Sequence, residues 1–502
     1  MKKSVFKASA LVLILSFVAK VIGFIKSIIQ ASYFGASIEM DAFNLVNELV
    51  SNIIYMLMTA VSVAFVPLYI QKSTEGGERK GFATKVIAIL VLIALIVSAV
   101  LIIFAGDIVH LIAPAFNAKA QELSVRFFRV LCIGIVFSLL ASMYTSILNS
   151  EKHYYFATVC SLVNSVVLIL FIILFSPRYG VWALTAAILV SYVFQWIVLY
   201  IPGRKFAKIS FPHRLRDEAI KILLIQAIPI LVGQASIEIN QVVDRALLSG
   251  VETGAITAVS YSAVLYQFVA SIIATPVSTV MFTEMAEAGK ERDTERLSGL
   301  LKESIMMLAL VCIPIIIVTV FNGKDIVEIV YGRGKFDGKA VTQCAEGLIM
   351  YIICLLPSSF KTLYSRAYYS LNDTKHPMII GILEVILNIV LSIILVKRYG
   401  ITGVVGATAI AAFVFATVMY VDFNRRYLKS ETINFRGISK ILLSTIVTVA
   451  VAFILQSTYG TNPYLNFLGT TIVLFSLFFG ILIALKEESV KQLLSTIKNI
   501  KK

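Results

Sequence analysis

Two stretches of this chain repeat one another. Residues 143–180 read MYTSILNSEKHYYFATVCSLVNSVVLILFIILFSPRYG, and residues 363–400 read LYSRAYYSLNDTKHPMIIGILEVILNIVLSIILVKRYG. They align without a gap, residue 143 with residue 363 and residue 180 with residue 400, and a weaker echo links residues 31–35 (ASYFG) with residues 246–250 (ALLSG). Solenoid repeats have periods of roughly 20 to 50 residues, and these two copies lie much further apart. The pattern indicates two copies of one larger bundle.

The chain is too apolar for a water-soluble protein. Of its 502 residues, 59% are hydrophobic and 15% are charged, whereas soluble domains carry roughly 25% charged residues. Apolar runs of about 20 residues recur between short polar breaks, as transmembrane helices require. We place fourteen such runs, at about 8–33, 42–71, 83–105, 121–148, 155–175, 179–201, 219–248, 256–285, 299–321, 342–371, 377–396, 400–424, 438–457 and 464–485.

The basic residues predict the orientation of these runs. If Lys2, Lys3 and Lys7 are cytoplasmic, then the polar break after each even-numbered run is cytoplasmic as well. Those breaks hold most of the Lys and Arg residues. This is the asymmetry that the positive-inside rule describes. Both termini are therefore predicted to be cytoplasmic. The net charge of +15 is then mainly an orientation signal, and we expect no nucleic-acid partner.

The number of runs in each repeat predicts the architecture. Six spans per copy is an even number, so both copies face the same way, as in transporters built from parallel repeats. We predict an all-α integral membrane protein with about fourteen transmembrane helices. Two parallel six-helix lobes are expected at residues 1–210 and 211–430, and two C-terminal helices with a cytoplasmic tail at 431–502. A substrate path inside one chain makes a monomer sufficient.

Charged side chains inside the spans are the candidate functional residues, because a charge in hydrocarbon is costly to retain. Lys20 and Lys26 lie in the first span; they either line a cavity or reach along the helix to the membrane surface. Glu48, at the start of the second span, could pair with either lysine. Lys361 could bind a ligand or form a structural pair with Glu384.

The motifs of enzymes are missing from the sequence. The four His residues are far apart, and there is no HExxH, no Walker A loop and no GxSxG. Without a phosphate-binding loop the chain cannot use its own ATP hydrolysis. The five Cys residues show no CxxC spacing and are expected to be small apolar residues. We therefore predict a transporter and not an enzyme. Its transport would be coupled to an ion gradient or to the membrane potential, or it would be simple facilitated transport.

Several stretches resemble the MurJ (MviN) family. The resemblance covers about residues 4–430 and is most specific in its later part. The stretches are Ser16–Lys26 (SFVAKVIGFIK), Phe34–Ser37 (FGAS), Asp41–Phe43 (DAF), Ala64–Pro67 (AFVP), Val243–Gly250 (VDRALLSG), Tyr331–Asp337 (YGRGKFD) and Ala367–Pro377 (AYYSLNDTKHP).

This resemblance implies a function and a set of residues. It implies a flippase that moves undecaprenyl-linked peptidoglycan precursor, lipid II, across the bacterial cytoplasmic membrane by alternating access. Where the family usually has arginines in the first span, this chain has lysines, and the usual arginine of the eighth span aligns with Val264. Together with the charges inside the spans, the resemblance gives Lys20, Lys26, Asp41, Glu48 and Lys361 as the expected substrate-binding residues.

No cofactor is expected, except that the resemblance allows a sodium ion. Some members of the family look to have a sodium site between the seventh, eleventh and twelfth spans. The matching positions are Asp244, Asn388, Ser392, Val404 and Thr408. Ligation by oxygen alone suits a hard cation.

Three other functions remain open at the level of sequence. The same scaffold could carry another lipid-linked saccharide, such as a capsule, teichoic or O-antigen unit, and the missing arginines keep that alternative open. A small-molecule antiporter of the multidrug/oligosaccharidyl-lipid/polysaccharide exporter superfamily is a second. A scaffold that transports nothing is a third. The quoted motifs favour a flippase of a lipid-linked saccharide, with membrane lipid as the surrounding partner.

Overall fold

The computed structural model describes residues 2–74, 79–210, 218–428, 434–457, 460 and 462–490. Inside its helices the side chains of residues 2–13, 73–74, 232, 236–237 and 273–280 lie outside the description. The side chains of Lys2, Lys3 and Lys7, on which the predicted orientation depends, are among them.

Every regular element in the described ranges is a helix. There are fifteen helices in these ranges, α1 to α15 in chain order. Their bounds are Lys2–Phe34, Ile38–Thr74, Arg79–Ile103, Ala105–Ile112, Ala118–Ser150, Tyr155–Tyr179, Val181–Gly203, Glu218–Leu248, Ala255–Glu291, Thr294–Tyr331, Gly338–Ile353, Leu355–Ser370, Lys375–Tyr427, Phe435–Gln456 and Pro463–Ala484.

Thirteen segments of the described chain are long and apolar enough to cross a membrane. One of them, α13, has 53 residues, and at 1.5 Å per residue it would be roughly 80 Å long, more than twice the hydrocarbon thickness of a bilayer. Its helical geometry is interrupted at Gly400, where φ is 53°. Helix α13 therefore contains two spans, which confirms the prediction of an all-α membrane protein with about fourteen spans.

Polar side chains at the loop ends start several of these helices. Asn117 accepts a hydrogen bond from the Ala120 amide at the start of α5, and Asp337 does the same with the Ala340 amide of α11. The first turn of a helix has backbone amides with no partner inside the helix, and a side-chain oxygen satisfies one of them. These caps stand at the predicted polar breaks, so the breaks carry the signals that separate the spans.

Contacts group the chain into two compact units. The N-terminal unit consists of residues Met1–Thr257 and Arg333–Phe336. Within it α2 packs on α3, α5 and α8, and α1 packs on α6. Its core includes the buried rings of Phe65, Phe82 and Tyr144, and the first two stack with centroids 5.7 Å apart.

The C-terminal unit consists of residues Ala258–Gly332 and Asp337–Lys502. Here α12 packs on α13, α11 packs on α10 and α13, and the pair α14–α15 packs on α10. Helix α10 loses helical geometry at Asn322, whose amide oxygen accepts a hydrogen bond from the Thr470 hydroxyl of α15 at 2.7 Å. The last two helices are therefore joined to this unit by polar as well as apolar contacts.

The compact units and the predicted lobes divide the chain at different places. The lobes, at 1–210 and 211–430, follow the sequence repeat, whereas the units follow packing. Helix α8 belongs to the N-terminal unit because it contacts α2 and α4. The segment 333–336 belongs there as well, although its neighbours in the chain belong to the C-terminal unit.

Many large apolar side chains are exposed along the spans. Leu174, Ile394, Ile446 and Ile472 each have more than 60% of their surface accessible. A water-soluble monomer rarely shows contiguous apolar surface on this scale, whereas a bilayer solvates it. The protein is therefore a multi-pass membrane protein whose exposed helix faces contact lipid.

Candidate functional site

Helix α1 places two lysines on either side of its contact with α6. Gly23 faces α6, and a Cβ at this position would lie 3.9 Å from the Ser165 hydroxyl oxygen. Lys20 and Lys26 are each three residues from Gly23, which puts them roughly 60° to either side of it on the helix. Lys20 is exposed, whereas Lys26 is half-buried. The two lysines thus differ in how far the rest of the protein covers them.

Neither lysine has an anionic partner in the part of the chain that the structure describes. No ion pair or hydrogen bond to the Lys20 or Lys26 ammonium group occurs among these residues. An ammonium that is half-buried in a membrane span is costly unless an anion lies beside it. Lys26 is therefore the described cation best suited to bind an anionic group of a substrate.

The carboxylate of Glu48 pairs with an arginine. Its Oε2 lies 2.6 Å from the Arg245 guanidinium, so the pair joins α2 to α8 within the N-terminal unit. Arg245 is only 9% exposed and also donates to the Ile256 carbonyl oxygen at 3.4 Å. The expected partnership of Glu48 with Lys20 or Lys26 does not occur here, because Arg245 occupies the carboxylate. Its contact with substrate stays a prediction.

Asp41 caps the start of α9. Its Oδ2 accepts from the Gly254 amide at 2.5 Å, and its Oδ1 accepts from the Thr257 amide and hydroxyl at 2.8 Å and 2.7 Å. Asn44 donates to the same Thr257 hydroxyl at 3.2 Å. Asp41 is 3% exposed. In this structure its carboxylate holds the turn between α8 and α9, and substrate contact by Asp41 remains a prediction.

Two of the quoted motif stretches meet in the N-terminal unit. The Lys335 amide donates to the Ser32 carbonyl oxygen at 2.8 Å. Gly35 and Gly334 have φ of 61° and 63°, and a Cβ on either would lie within 2.3 Å of a backbone oxygen of the other stretch. Glycine is required at both positions because a side chain would be strained and would also clash. Both motifs could be recognised in the sequence, but nothing in the sequence indicated that they contact each other.

In the C-terminal unit Lys361 and Glu384 form an ion pair between α12 and α13. The side chains remain 19% and 21% accessible, respectively. The structural pairing that the sequence allowed is therefore present. Substrate binding by Lys361 is a further prediction, and the accessible fraction leaves room for it.

A buried polar trio lies along α13. The Asn388 amide nitrogen donates to the Thr408 hydroxyl at 2.9 Å, and the Ser392 hydroxyl donates to the Asn388 amide oxygen at 3.3 Å. Val404, the fourth expected neighbour in this unit, is 1% exposed. Asp244 is half-buried in α8 of the N-terminal unit. Neutral amide and hydroxyl oxygens suit a hard monovalent cation, so the trio fits the expected ion in its chemistry.

The other copy of the repeat has apolar residues in place of this trio. When the alignment of the two copies is extended without a gap to residue 408, Asn388, Ser392 and Thr408 correspond to residues of α6 and α7 in the N-terminal unit. These are Leu168, Ile172 and Ile188, all apolar and at most 8% exposed. The other copy therefore packs with leucine and isoleucine at these positions, so the buried amide and hydroxyls are a feature of the C-terminal copy.

Acidic, thiol and imidazole groups are not assembled into a metal centre anywhere in the described ranges. No group of three or more His, Cys, Asp or Glu side chains among those residues could hold a metal ion. The five cysteines are buried and free. A cation would therefore depend on neutral oxygens and single carboxylates.

The chain is similar to known proteins over most of its length. The family model described as "Lipid II flippase MurJ" matches residues 30–480. A "Probable lipid II flippase MurJ" of Rickettsia prowazekii is 26% identical over 500 residues, covering 96% of this chain and 98% of that protein. A protein of Borreliella burgdorferi with the same description is 27% identical over 449 residues, covering 88% and 87%.

Solved structures support the fold. A structure described as "Lipid II flippase MurJ, inward closed conformation" has a TM-score of 0.81 at 24% identity, covering 94% of this chain and 98% of that one. An inward-facing multidrug resistance transporter of the MATE family and MOP superfamily has a TM-score of 0.69 at 15% identity, covering 81% and 94%. At these identities the likeness concerns the arrangement of helices.

Proposed function

This chain belongs to the lipid II flippase MurJ family, and from that premise we propose that it carries lipid II from the cytoplasmic to the outer leaflet by alternating access. It is a multi-pass membrane transporter with a lipid-linked substrate. The main support for the substrate-binding site is that Lys26 is half-buried and that the described residues provide no anion beside it.

The chemistry of the headgroup fits that cation. Lipid II presents a pyrophosphate and sugars, which are too polar to cross hydrocarbon unaided. A lysine binds phosphate as a charge-assisted hydrogen bond, although as a point charge and without the fork of an arginine. The exposed Lys20 would bind the pyrophosphate first. Lys26 would then bind it inside the protein. The polyprenyl tail can stay in lipid throughout the passage.

Sodium is proposed as the coupling ion. The support is the polar trio of Asn388, Ser392 and Thr408, which stands where the other copy of the repeat has apolar residues. When bound, the ion would add a positive charge that stabilises one arrangement of the transporter. Asn388 and Thr408 would supply amide and hydroxyl oxygens, and a contribution from the carboxylate of Asp244 stays an expectation of the family resemblance.

The remaining properties follow from this proposal. The protein would act as a monomer in the bacterial cytoplasmic membrane, with both termini in the cytoplasm. It would carry out no covalent chemistry of its own. The positive-inside distribution of its basic residues supports this orientation.

Complementation tests the proposal. The unmutated protein is expressed in a bacterial cell depleted of its own lipid II flippase, and growth and accumulation of lipid II are measured. We expect growth and a normal level of lipid II. If lipid II accumulates while the protein is present in the membrane, the substrate is a different lipid-linked saccharide.

A further inference from the structure

The ion pair of Lys361 and Glu384 is present in only one copy of the repeat. When the same alignment is extended to these positions, Lys361 corresponds to Ala141 and Glu384 corresponds to Asn164. Ala141 is 4% exposed, and the Asn164 amide oxygen is buried with no hydrogen-bond partner among the described residues. The scaffold therefore folds with neutral side chains at both positions. A costly pair of charges in a membrane, which the fold does not need, points to a function.

Glu384 begins a polar line along one face of α13. Residues Glu384, Asn388 and Ser392 are spaced by four, so they lie above one another on the helix. Their exposure falls along this line: the Glu384 side chain is 21% accessible, Asn388 is 3% exposed and Ser392 is 0% exposed. The carboxylate is thus the accessible end of a line of oxygen atoms that leads into the unit.

Neither partner of the pair can be released alone. Removing the partner of a buried ion leaves an uncompensated charge, which is strongly unfavourable in a membrane span. A phosphate that binds Lys361 would compete with Glu384 for the ammonium. The displaced carboxylate would then need a cation of its own.

We propose that Lys361 and Glu384 form an exchange pair, in which a phosphate of the substrate takes Lys361 and a small monovalent cation takes Glu384 in the same step. The cation is a proton or a sodium ion, and both would satisfy the same carboxylate oxygen. This inference rests on the proposed function for its phosphate. Because the two ligands replace one internal pair, each tightens the binding of the other, and the effect is reciprocal.

A buried thiol lies close to the pair. The titratable group that senses both Lys361 and Glu384 is the Cys354 thiol, between α11 and α12. Cys354 is 2% exposed and donates to the Met350 carbonyl oxygen. In the proposal, the dependence of phosphate binding on cations comes from Glu384, because the phosphate displaces its carboxylate from Lys361.

Binding measurements on the full chain in lipid nanodiscs test the exchange. The probe is undecaprenyl pyrophosphate, which carries the phosphates without the sugars. Its Kd is measured in two series, one with sodium replaced by choline at fixed pH and one with varied pH in the absence of sodium. For the unmutated protein we expect the Kd to fall about tenfold either as sodium replaces choline or as the pH is lowered. A tenfold change is a typical size for such coupling. The series in which it falls identifies the cation.

The repeat supplies the matched variant. The double substitution Lys361→Ala with Glu384→Asn copies the residues of the N-terminal unit, so it should melt at the temperature of the unmutated protein. We expect weaker binding of the probe, with a much smaller change with sodium or pH than in the unmutated protein. The single substitution Glu384→Gln frees Lys361 and should bind the probe more tightly, also without dependence on cations.

Two results would overturn the exchange. One is an unmutated protein whose Kd is constant in both series, and the other is a double variant that keeps the full dependence of the unmutated protein. Complementation by the unmutated protein separates this failure from failure of the proposed function. If that protein supports growth but its Kd ignores cations, only the exchange pair is wrong. If it neither supports growth nor binds the probe, the proposed function fails and the exchange with it.

Discussion

Gly180 and Gly400, which occupy equivalent positions in the two copies of the repeat, adopt the same backbone conformation. Their φ and ψ are 56° and −139° for Gly180, and 53° and −127° for Gly400. Lys152 and Asn372, a second equivalent pair, share positive φ of 66° and 61°. The repeat seen in the sequence is therefore also a repeat of turns, and each glycine separates two successive spans.

Alanine at Gly400 should destabilise the protein. Residues with a side chain are strained at this φ and ψ, and the cost is about 1–3 kcal/mol. We expect Gly400→Ala to lower the unfolding free energy by this amount in a denaturant titration of the detergent-solubilised protein. Gly381 is the matched control, because it lies in the same helix at negative φ and a Cβ there would meet no atom within 4 Å. Gly381→Ala should not destabilise; an equal loss in both variants would contradict the argument.

Removal of the charge at Lys26 should abolish transport. The half-buried ammonium has no anion among the described residues, so its binding partner is expected to be the substrate. Lys26→Ala should fail to complement a cell depleted of its lipid II flippase, although the protein reaches the membrane. Lys26→Arg retains the charge and adds a planar fork, so it should complement. Full growth with the alanine variant would remove Lys26 from the site.

The spans and the repeat could be predicted from sequence, whereas the partners of the charges could not. Apolar runs are local signals, and the structure has helices at the predicted runs. Glu48 was expected beside a lysine of α1, yet it pairs with Arg245 because α2 packs on α8. Asp41 likewise reaches Thr257, 216 residues later in the chain. No local pattern encodes which helices become neighbours, so such pairs appear only once the helices are packed.

The Glu48–Arg245 pair should show strong coupling in a double-mutant cycle. Arg245 is nearly buried, so Arg245→Ala leaves the Glu48 carboxylate uncompensated and should lower the unfolding free energy by about 3 kcal/mol. Glu48→Ala should be destabilising for the same reason. Because the double variant removes both charges, its loss should be smaller than the sum of the two single losses. Additive losses in the same denaturant titration would show that the pair contributes no interaction energy.

Apolar replacement of the α13 trio should remove the response to sodium without unfolding the protein. The triple variant Asn388→Leu, Ser392→Ile and Thr408→Ile copies the residues at the same positions of the N-terminal unit. We expect a melting temperature at least as high as that of the unmutated protein, since buried polar groups are exchanged for apolar ones. Sodium should raise the melting temperature of the unmutated protein only, because a bound ligand stabilises the folded state. An equal rise in the triple variant would place the ion elsewhere.

Stability at acidic pH should depend on Asp373, in the turn between α12 and α13. Burial alone would raise the pKa of Asp373, but hydrogen bonds from the Tyr427 hydroxyl and from His376 outweigh burial and hold the pKa below its usual 3.8. A carboxyl group whose pKa is lower in the folded state contributes stability that is complete above its unfolded pKa and is lost as pH falls through the folded value. The unmutated protein should therefore lose melting temperature below about pH 4 more steeply than Asp373→Asn. Near pH 7 the variant should be the less stable of the two, because the amide cannot accept these bonds with a full charge. If the melting temperatures of both proteins fall by the same amount from pH 7 to pH 3, Asp373 carries no such linkage.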